Sequence, residues 1–215
     1  MTASRLVKCP RTPHLPWSLG NTSDDIVLNS VQHLALLSDV VVTEKLDGEN
    51  TTFYCDYLHA RSLDSGAHPS RDWVRRLHAS VSFNIPETMR VCGENLYAKH
   101  SIYYDHLPSY LLVFAIYEGN NCLSWDETVE WCKLLELEHV PVLYRGFWNE
   151  DSIKACWSGK SRFGDEQEGY VVRNAESFVA GDFQQNVAKF VRTGHVMSKE
   201  HWMAKELVPN GLISS

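Results

Sequence analysis

The 215-residue sequence predicts an α+β fold with mainly antiparallel sheet, and three observations lead to it. Short β-branched and aromatic runs are interrupted by amphipathic segments with helix caps, but never in the regular βαβ rhythm of a parallel sheet. Hydrophobic residues make up 44% of the chain and aromatics 11%, which suits a packed core rather than a disordered chain. No apolar run approaches the roughly 20 residues of a spanning helix, so no membrane partner is expected.

Taken in order, residues 1–22 read as an N-terminal arm. Its stretch RTPHLPWS is too proline-rich for a regular element, and Arg11, His14 and Trp17 are expected to be ordered beside the site. Ser23 reads as the cap of a helix over 24–37 with an apolar face. VVVT (40–43) and TTFYCDYLHARS (51–62) read as two strands, and SRDWVRRLHASV (70–81) as a helix with Trp73, Val74, Leu77 and Val81 at core spacing. MRVCGENLYA and YLLVFAIYE read as strands, with a turn after the second at Gly119 and its neighbouring asparagines. Ser124 and Glu127 form a capping box for a helix over 124–139. VPVLYRG is a short strand. A helix over 149–159 is capped by Asn149 and closed by Gly159. EGYVVRN and NVAKFVR are the last strands, and SKEHWMAKEL reads as helical. Trp125, Trp131 and Trp157 are assigned to helix–sheet packing.

Charge and cysteine use narrow the functions available. A net charge of −7 argues against a protein that coats nucleic acid without specificity, though not against one that grips a short strand locally. The six cysteines show no C-x-x-C pairing, which suits reduced thiols in a cytoplasmic protein and argues against structural zinc. No signal-peptide apolar region opens the chain. His14, His59, His68 and His100 lack the tight spacing of metal ligands.

The chemistry-bearing signal starts at TEKLDGEN. A lysine that ends a strand is usually solvated, but Lys45 has company. Glu94 ends a strand in CGEN, Phe114 is the one aromatic inside an aliphatic run, Glu168 opens EGYVVR, and Lys189 comes from the otherwise apolar VAKFVR. Each sits on a strand able to aim a side chain into a shared cleft.

With Arg61 in ARS, these motifs stand in an order that resembles the covalent nucleotidyltransferase superfamily of ATP-dependent ligases and capping enzymes. Within it, the glutamate before the lysine and the asparagine after the glycine are similar to the T4 RNA ligase 2-like branch. The matches span residues 43–192. The resemblance implies a nucleotidyltransferase (ATP-grasp-like) fold and an ATP-dependent RNA ligase that seals 3′-hydroxyl and 5′-phosphate ends. By the same resemblance, Lys45 takes AMP, Glu44 contacts the adenine, Phe114 stacks on it and Glu94 binds the ribose. Asn50 and Arg61 handle phosphate and the nucleic-acid end, Glu168 supports Mg²⁺ or Mn²⁺, and Lys189 contacts the α-phosphate.

The residue types suit that chemistry. A neutral lysine amine can attack an α-phosphate to form a phosphoramidate. Its pKa must first fall, which a second lysine and a cation favour and which nearby carboxylates oppose. Asp47 is therefore expected to act through metal-bound water or by shaping its turn. Gly48 and Gly169 either let backbone approach the nucleotide or make tight turns.

Two features depart from the motif pattern. Val187 stands where the last motif often has a first lysine, so Arg173 or Arg192 is expected to supply charge instead. Only 23 residues follow Arg192, too few for the OB-fold of DNA ligases and capping enzymes, so one adenylyltransferase domain is expected, with 193–215 a short extension. Arg192, His195, Lys199, His201, Trp202 and Lys205 could clamp an RNA strand, or form a helix that covers the sheet. Arg71, Arg75 and Arg76 offer a second strand patch or a solvated helix face. The alternatives are a capping-type guanylyltransferase or DNA ligase and, in another class, a catalytically silent RNA-binding module. An accessory protein or end-healing enzyme is a conceivable partner.

Overall fold

The computed structural model describes residues 6–194 and 207–213. Its first strands are β1 (Val40–Lys45), β2 (Glu49–Phe53), β3 (Leu58–Ala60), β4 (Met89–Asn95) and β5 (Leu111–Glu118). After them come β6 (Asn121–Cys122), β7 (Glu138–His139), β8 (Val142–Gly146), β9 (Gly169–Asn174), β10 (Phe178–Val179) and β11 (Val187–Val191). The helices are α1 (Gln32–Ala35), α2 (Asp72–Val81), α3 (Trp125–Leu134), α4 (Glu150–Ala155) and α5 (Phe183–Asn186). Among the described residues no helix is long and apolar enough to cross a membrane.

These strands form two sheets, one ordered β11-β9-β1-β8 and the other β10-β6-β5-β4-β2-β3. Pairing is antiparallel throughout, apart from the short parallel contact of β7 with β5. Strand alternation explains how the sheets pack. Val40 and Val42 enter an apolar cluster with Leu15, Leu34, Ile153 and Tyr170, while Val41 points the other way toward Leu96, Tyr104 and Leu112. The second cluster draws on both sheets and so holds them together. A third cluster, with Phe53, Val74, Val91 and Val113, seats α2 and α3.

The capping box forms as expected: Ser124 Oγ accepts the Glu127 amide at 3.2 Å, and the Glu127 carboxylate accepts the Ser124 amide at 2.9 Å. Its helix stops at Leu134, before a turn in which Glu136 has φ 54°. The Asn149-capped helix stops at Ala155, four residues short of Gly159. The 51–62 run is a hairpin of β2 and β3, not one strand.

The helix expected over 24–37 is a correction. Only Gln32–Ala35 is helical. Asp25 turns back to accept the Thr22 amide and hydroxyl, and the β-branched pair Ile26–Val27 runs extended against His14. Local side-chain capping and a strand partner outcompete the helix here. The arm is ordered, and its Leu15 amide bonds the Lys189 carbonyl beside β11. The tail residues His195, Lys199, His201, Trp202 and Lys205, with most of the expected last helix, lie outside the described residues.

Candidate active site

A cleft of about 790 Å³ opens between the sheets. Its lining includes Glu44, Lys45, Asn50, Arg61, Glu94, Phe114 and Lys189, drawn from strands of both sheets or their ends. Glu168 is not on the lining but beneath it, 1% exposed, directly before β9.

β1 pairs with β9 so that Lys45 faces Gly169. That register carries the Lys45 ammonium to Glu168, with Nζ donating to Oε1 at 2.6 Å. Burial alone would push the Lys45 pKa down, but Glu168, Glu94 and Asp47 outweigh it and hold the amine above its ordinary value. Lys189 behaves in the opposite way: burial and repulsion from Lys45 push it down. Glu94 accepts the Gly48 amide at 3.1 Å, and burial with the carboxylates Glu168 and Asp47 raises its pKa to about 8 against the pull of Lys45.

Asp47 shapes the turn. Its Oδ2 accepts the Ser101 amide and hydroxyl at 2.8 and 2.6 Å and the Ile102 amide at 3.0 Å. Glu44 is 2% exposed; its Oε2 accepts the Arg162 amide at 3.0 Å, while Oε1 is buried at the cleft without a protein partner. Burial pushes its carboxyl pKa up.

Phe114 owes its direction to a β-bulge. Cys92 pairs with Ala115 and Gly93 with Val113, so Phe114 is the extra residue of β5. A bulge re-aims side chains, and here Phe114 and Ala115 both reach the cleft. The glycines serve packing. A Cβ on Gly169 would sit 1.9 Å from the Phe190 carbonyl oxygen, and one on Gly48 2.5 Å from that of Asn95. It is protein backbone that comes close at both positions.

Neither arginine proposed to replace the missing lysine is a free cleft cation. Arg173 does line the cleft, but it is buried and donates to the Leu123, Asn174 and Phe114 carbonyls. Arg192 is paired with Glu166 at 2.8 Å and does not line the cleft. Val187 packs with Tyr117, Cys122 and Phe178 in an apolar part of the cleft wall. Arg71 also departs from expectation. It is buried in a forked pair with Glu49, at 2.7 and 2.5 Å, while Arg75 and Arg76 stay exposed. Trp125 is buried and Trp131 packs on the α3 side, but Trp157 is 39% exposed against Phe190.

A sequence profile of the RNA ligase family matches residues 38–191. The chain belongs to the RNA ligase family. Solved RNA ligase structures from Naegleria gruberi share the fold. A mutant with ATP and Mn has a TM-score of 0.58 at 19% identity, over 87% of this chain and 61% of that one. The enzyme with PPi has a TM-score of 0.56 at 21% identity, over 87% and 61%. This chain thus spans about three-fifths of those relatives' length. No curated protein matches it in sequence.

Arg11 walls the cleft, as expected of the arm, together with Cys9, Pro10 and Thr12. Asp25, which also lines it and approaches Lys189, went unread in the sequence. The proline-rich stretch hinted at order, but the Asp24–Asp25 pair looked like the first turn of a helix.

Proposed function

We propose that this chain is an ATP-dependent RNA ligase that joins an RNA 3′-hydroxyl to a 5′-phosphate. The observation that carries this reading is the placement of Lys45, a strand-end amine in the cleft, held on Glu168, with Glu94 and Lys189 also at the cleft. In the first step Lys45 Nζ attacks the α-phosphorus of ATP. The N–P bond forms, the bond to the β-phosphate oxygen breaks, pyrophosphate leaves and the amine gives up its proton. An oxygen of the RNA 5′-phosphate then attacks the same phosphorus, the N–P bond breaks and Lys45 is regenerated. Last, the 3′-hydroxyl attacks the adenylated 5′-phosphate, AMP departs and the phosphodiester remains.

Each cleft residue has a part in this scheme. Phe114 stacks on the adenine, and the unpartnered Glu44 Oε1 takes an amino edge of the base. Glu94 holds the ribose, Lys189 faces the α-phosphate, and Asn50 with the exposed Arg61 receives phosphate and the RNA end. Among the described residues no group of three or more His, Cys, Asp or Glu side chains is set to hold a metal. Glu168, with Asp47 through water, would help nucleotide oxygens hold a cation, and oxygen donors of this kind suit hard Mg²⁺ or Mn²⁺. Such an ion would neutralise phosphate oxygens and ease the departure of pyrophosphate. Arg192, which lies off the cleft lining, and Lys199 are proposed to meet RNA. The free cysteines fit a cytoplasmic setting.

The test is covalent labelling. Protein mixed with α-labelled ATP or GTP and Mg²⁺ or Mn²⁺ should retain label from ATP on a denaturing gel, and Lys45→Ala should retain none. Label persisting in the variant would move the nucleophile elsewhere. Label from GTP alone would replace the ligase with a capping-type transferase, and none from either nucleotide would favour a binding module.

A further inference from the structure

Lys189 is not a loose cation. Its amide donates to the Pro13 carbonyl at 2.9 Å, and its carbonyl accepts the Leu15 amide at 2.8 Å. His14, between those two, donates its amide to the Ile26 carbonyl at 2.7 Å and accepts the Leu28 amide at 2.8 Å. The backbone thus lays residues 26–28, 13–15 and β11 side by side, which brings Asp25, His14 and Lys189 together.

The side chains complete the arrangement. Asp25 Oδ2 is pinned by the Thr22 amide and hydroxyl, at 3.0 and 2.9 Å. Its Oδ1 lies 3.6 Å from His14 Nε2 and 3.9 Å from Lys189 Nζ. His14 is 1% exposed, and its Nδ1 is 2.7 Å from Ser18 Oγ. That hydroxyl oxygen accepts the Val191 amide at 2.9 Å.

The protonation pattern follows from these partners. Burial and the nearby Lys189 lower the His14 pKa to about 4, so the ring is neutral and carries one N–H. With that proton on Nδ1, a lone pair on Nε2 would face the Asp25 carboxylate. With it on Nε2, the ring offers N–H toward Asp25 and accepts the Ser18 hydroxyl proton at Nδ1. Electrostatics select the second tautomer.

We propose that Asp25, backed by His14 and Ser18, is a positioning residue for adenylyl transfer that aims the Lys189 ammonium across the cleft. The proposal rests on the reading of Lys189 as the α-phosphate contact. Lys189 lies in the field of Lys45 and Arg61, which repel it, and of Asp25 and Glu168, which attract it. Without Asp25, Lys189 would be drawn to Glu168 and would compete with Lys45 for it. The carboxylate from the N-terminal segment keeps the two lysines on separate anions.

The test is single-turnover labelling with α-labelled ATP on the full chain. The variants are Asp25→Asn, Asp25→Glu, Thr22→Val, Lys189→Ala and the Asp25→Asn/Lys189→Ala double. Misplacement of a catalytic group by about 1 Å costs on the order of 100-fold. Asp25→Asn should therefore slow the maximal rate at least roughly tenfold, while half-saturating ATP moves less than about threefold. Asp25→Glu should recover part of the rate. Thr22→Val, a mild change at an exposed residue, should show the same signature at smaller amplitude and serves if Asp25→Asn folds poorly. In the Lys189→Ala background Asp25→Asn should add almost nothing, because one acts through the other. Full-rate Asp25→Asn beside a slow Lys189→Ala overturns the positioning role, and so do additive losses. A full-rate Lys189→Ala removes the Lys189 assignment itself, and the inference falls with it.

Discussion

Replacing Lys45 with alanine should weaken the fold as well as silence the chemistry. The side chains of Glu168 and Lys45 are 1% and 25% exposed, and they meet at 2.6 Å. Removing one partner of a buried pair costs about 3–5 kcal/mol, because the other charge is left in a poor solvent. The partial exposure of Lys45 and the nearby Lys189 reduce that to about 2–3 kcal/mol here. For a domain of this size each kcal/mol moves Tm by about 2–4 °C, so Lys45→Ala should melt about 4–12 °C lower. Adding Glu168→Gln removes the stranded charge, and the double variant should regain most of the loss. Melts followed by far-UV circular dichroism at neutral pH read both effects. The loss should persist in high salt, since buried pairs are screened little. A Lys45→Ala shift of less than about 1 °C would refute the argument, as would a double variant that melts no higher than the single.

Three further outcomes follow from the geometry. Phe114→Ala should weaken ATP binding by about 2- to 12-fold, the range of an aromatic contact worth about 0.5–1.5 kcal/mol; unchanged affinity in calorimetry would take Phe114 off the base. Glu94 is held neutral to about pH 8 in the fold against an ordinary value of 4.5, so the folded state binds the extra proton. Stability from this group is complete below the ordinary carboxylate range and is lost as pH rises toward 8. Glu94→Gln should therefore melt above the parent at pH 8.5, with the gap closing by pH 5, and parallel pH profiles would contradict the assignment. Gly169→Ala should separate β9 from β11, since its Cβ would overlap the Phe190 carbonyl oxygen; a soluble variant with parental Tm would show that the strands have room to part.

The residues proposed to carry chemistry were more legible than the structure that aims them. Each of Lys45, Glu94, Glu168 and Lys189 is a weak signal alone, and they stand out because they recur in order on strands able to face one cleft. The capping box of α3 was equally plain, because its logic spans only Ser124 to Glu127. Partners far apart in the chain left no such trace. Lys45 meets Glu168 across 123 positions through the β1–β9 register, and sequence periodicity cannot fix register between distant strands. The bulge at Phe114 is also silent in sequence, since it arises from a mismatch with β4. Asp24–Asp25 misled for a related reason: acidic residues after a serine look like a helix start, and only the distant strand at His14 decides otherwise.

The Lys45–Glu168 pair also bears on the order of events in the proposed reaction. The carboxylates around Lys45 keep it an ammonium, and an ammonium has no lone pair with which to attack phosphorus. The resting arrangement is therefore stable and unreactive for the same reason. Attack requires the carboxylate field to be offset, and cationic Lys189 acts in that direction, because its repulsion with Lys45 is mutual. Adenylylation then turns the amine into an uncharged phosphoramidate nitrogen. At that moment Glu168 loses the cation it was holding, as it does in Lys45→Ala, and the cleft gains net negative charge before the RNA phosphate arrives. One ion pair can thus hold the amine protonated until the carboxylate field around it is offset.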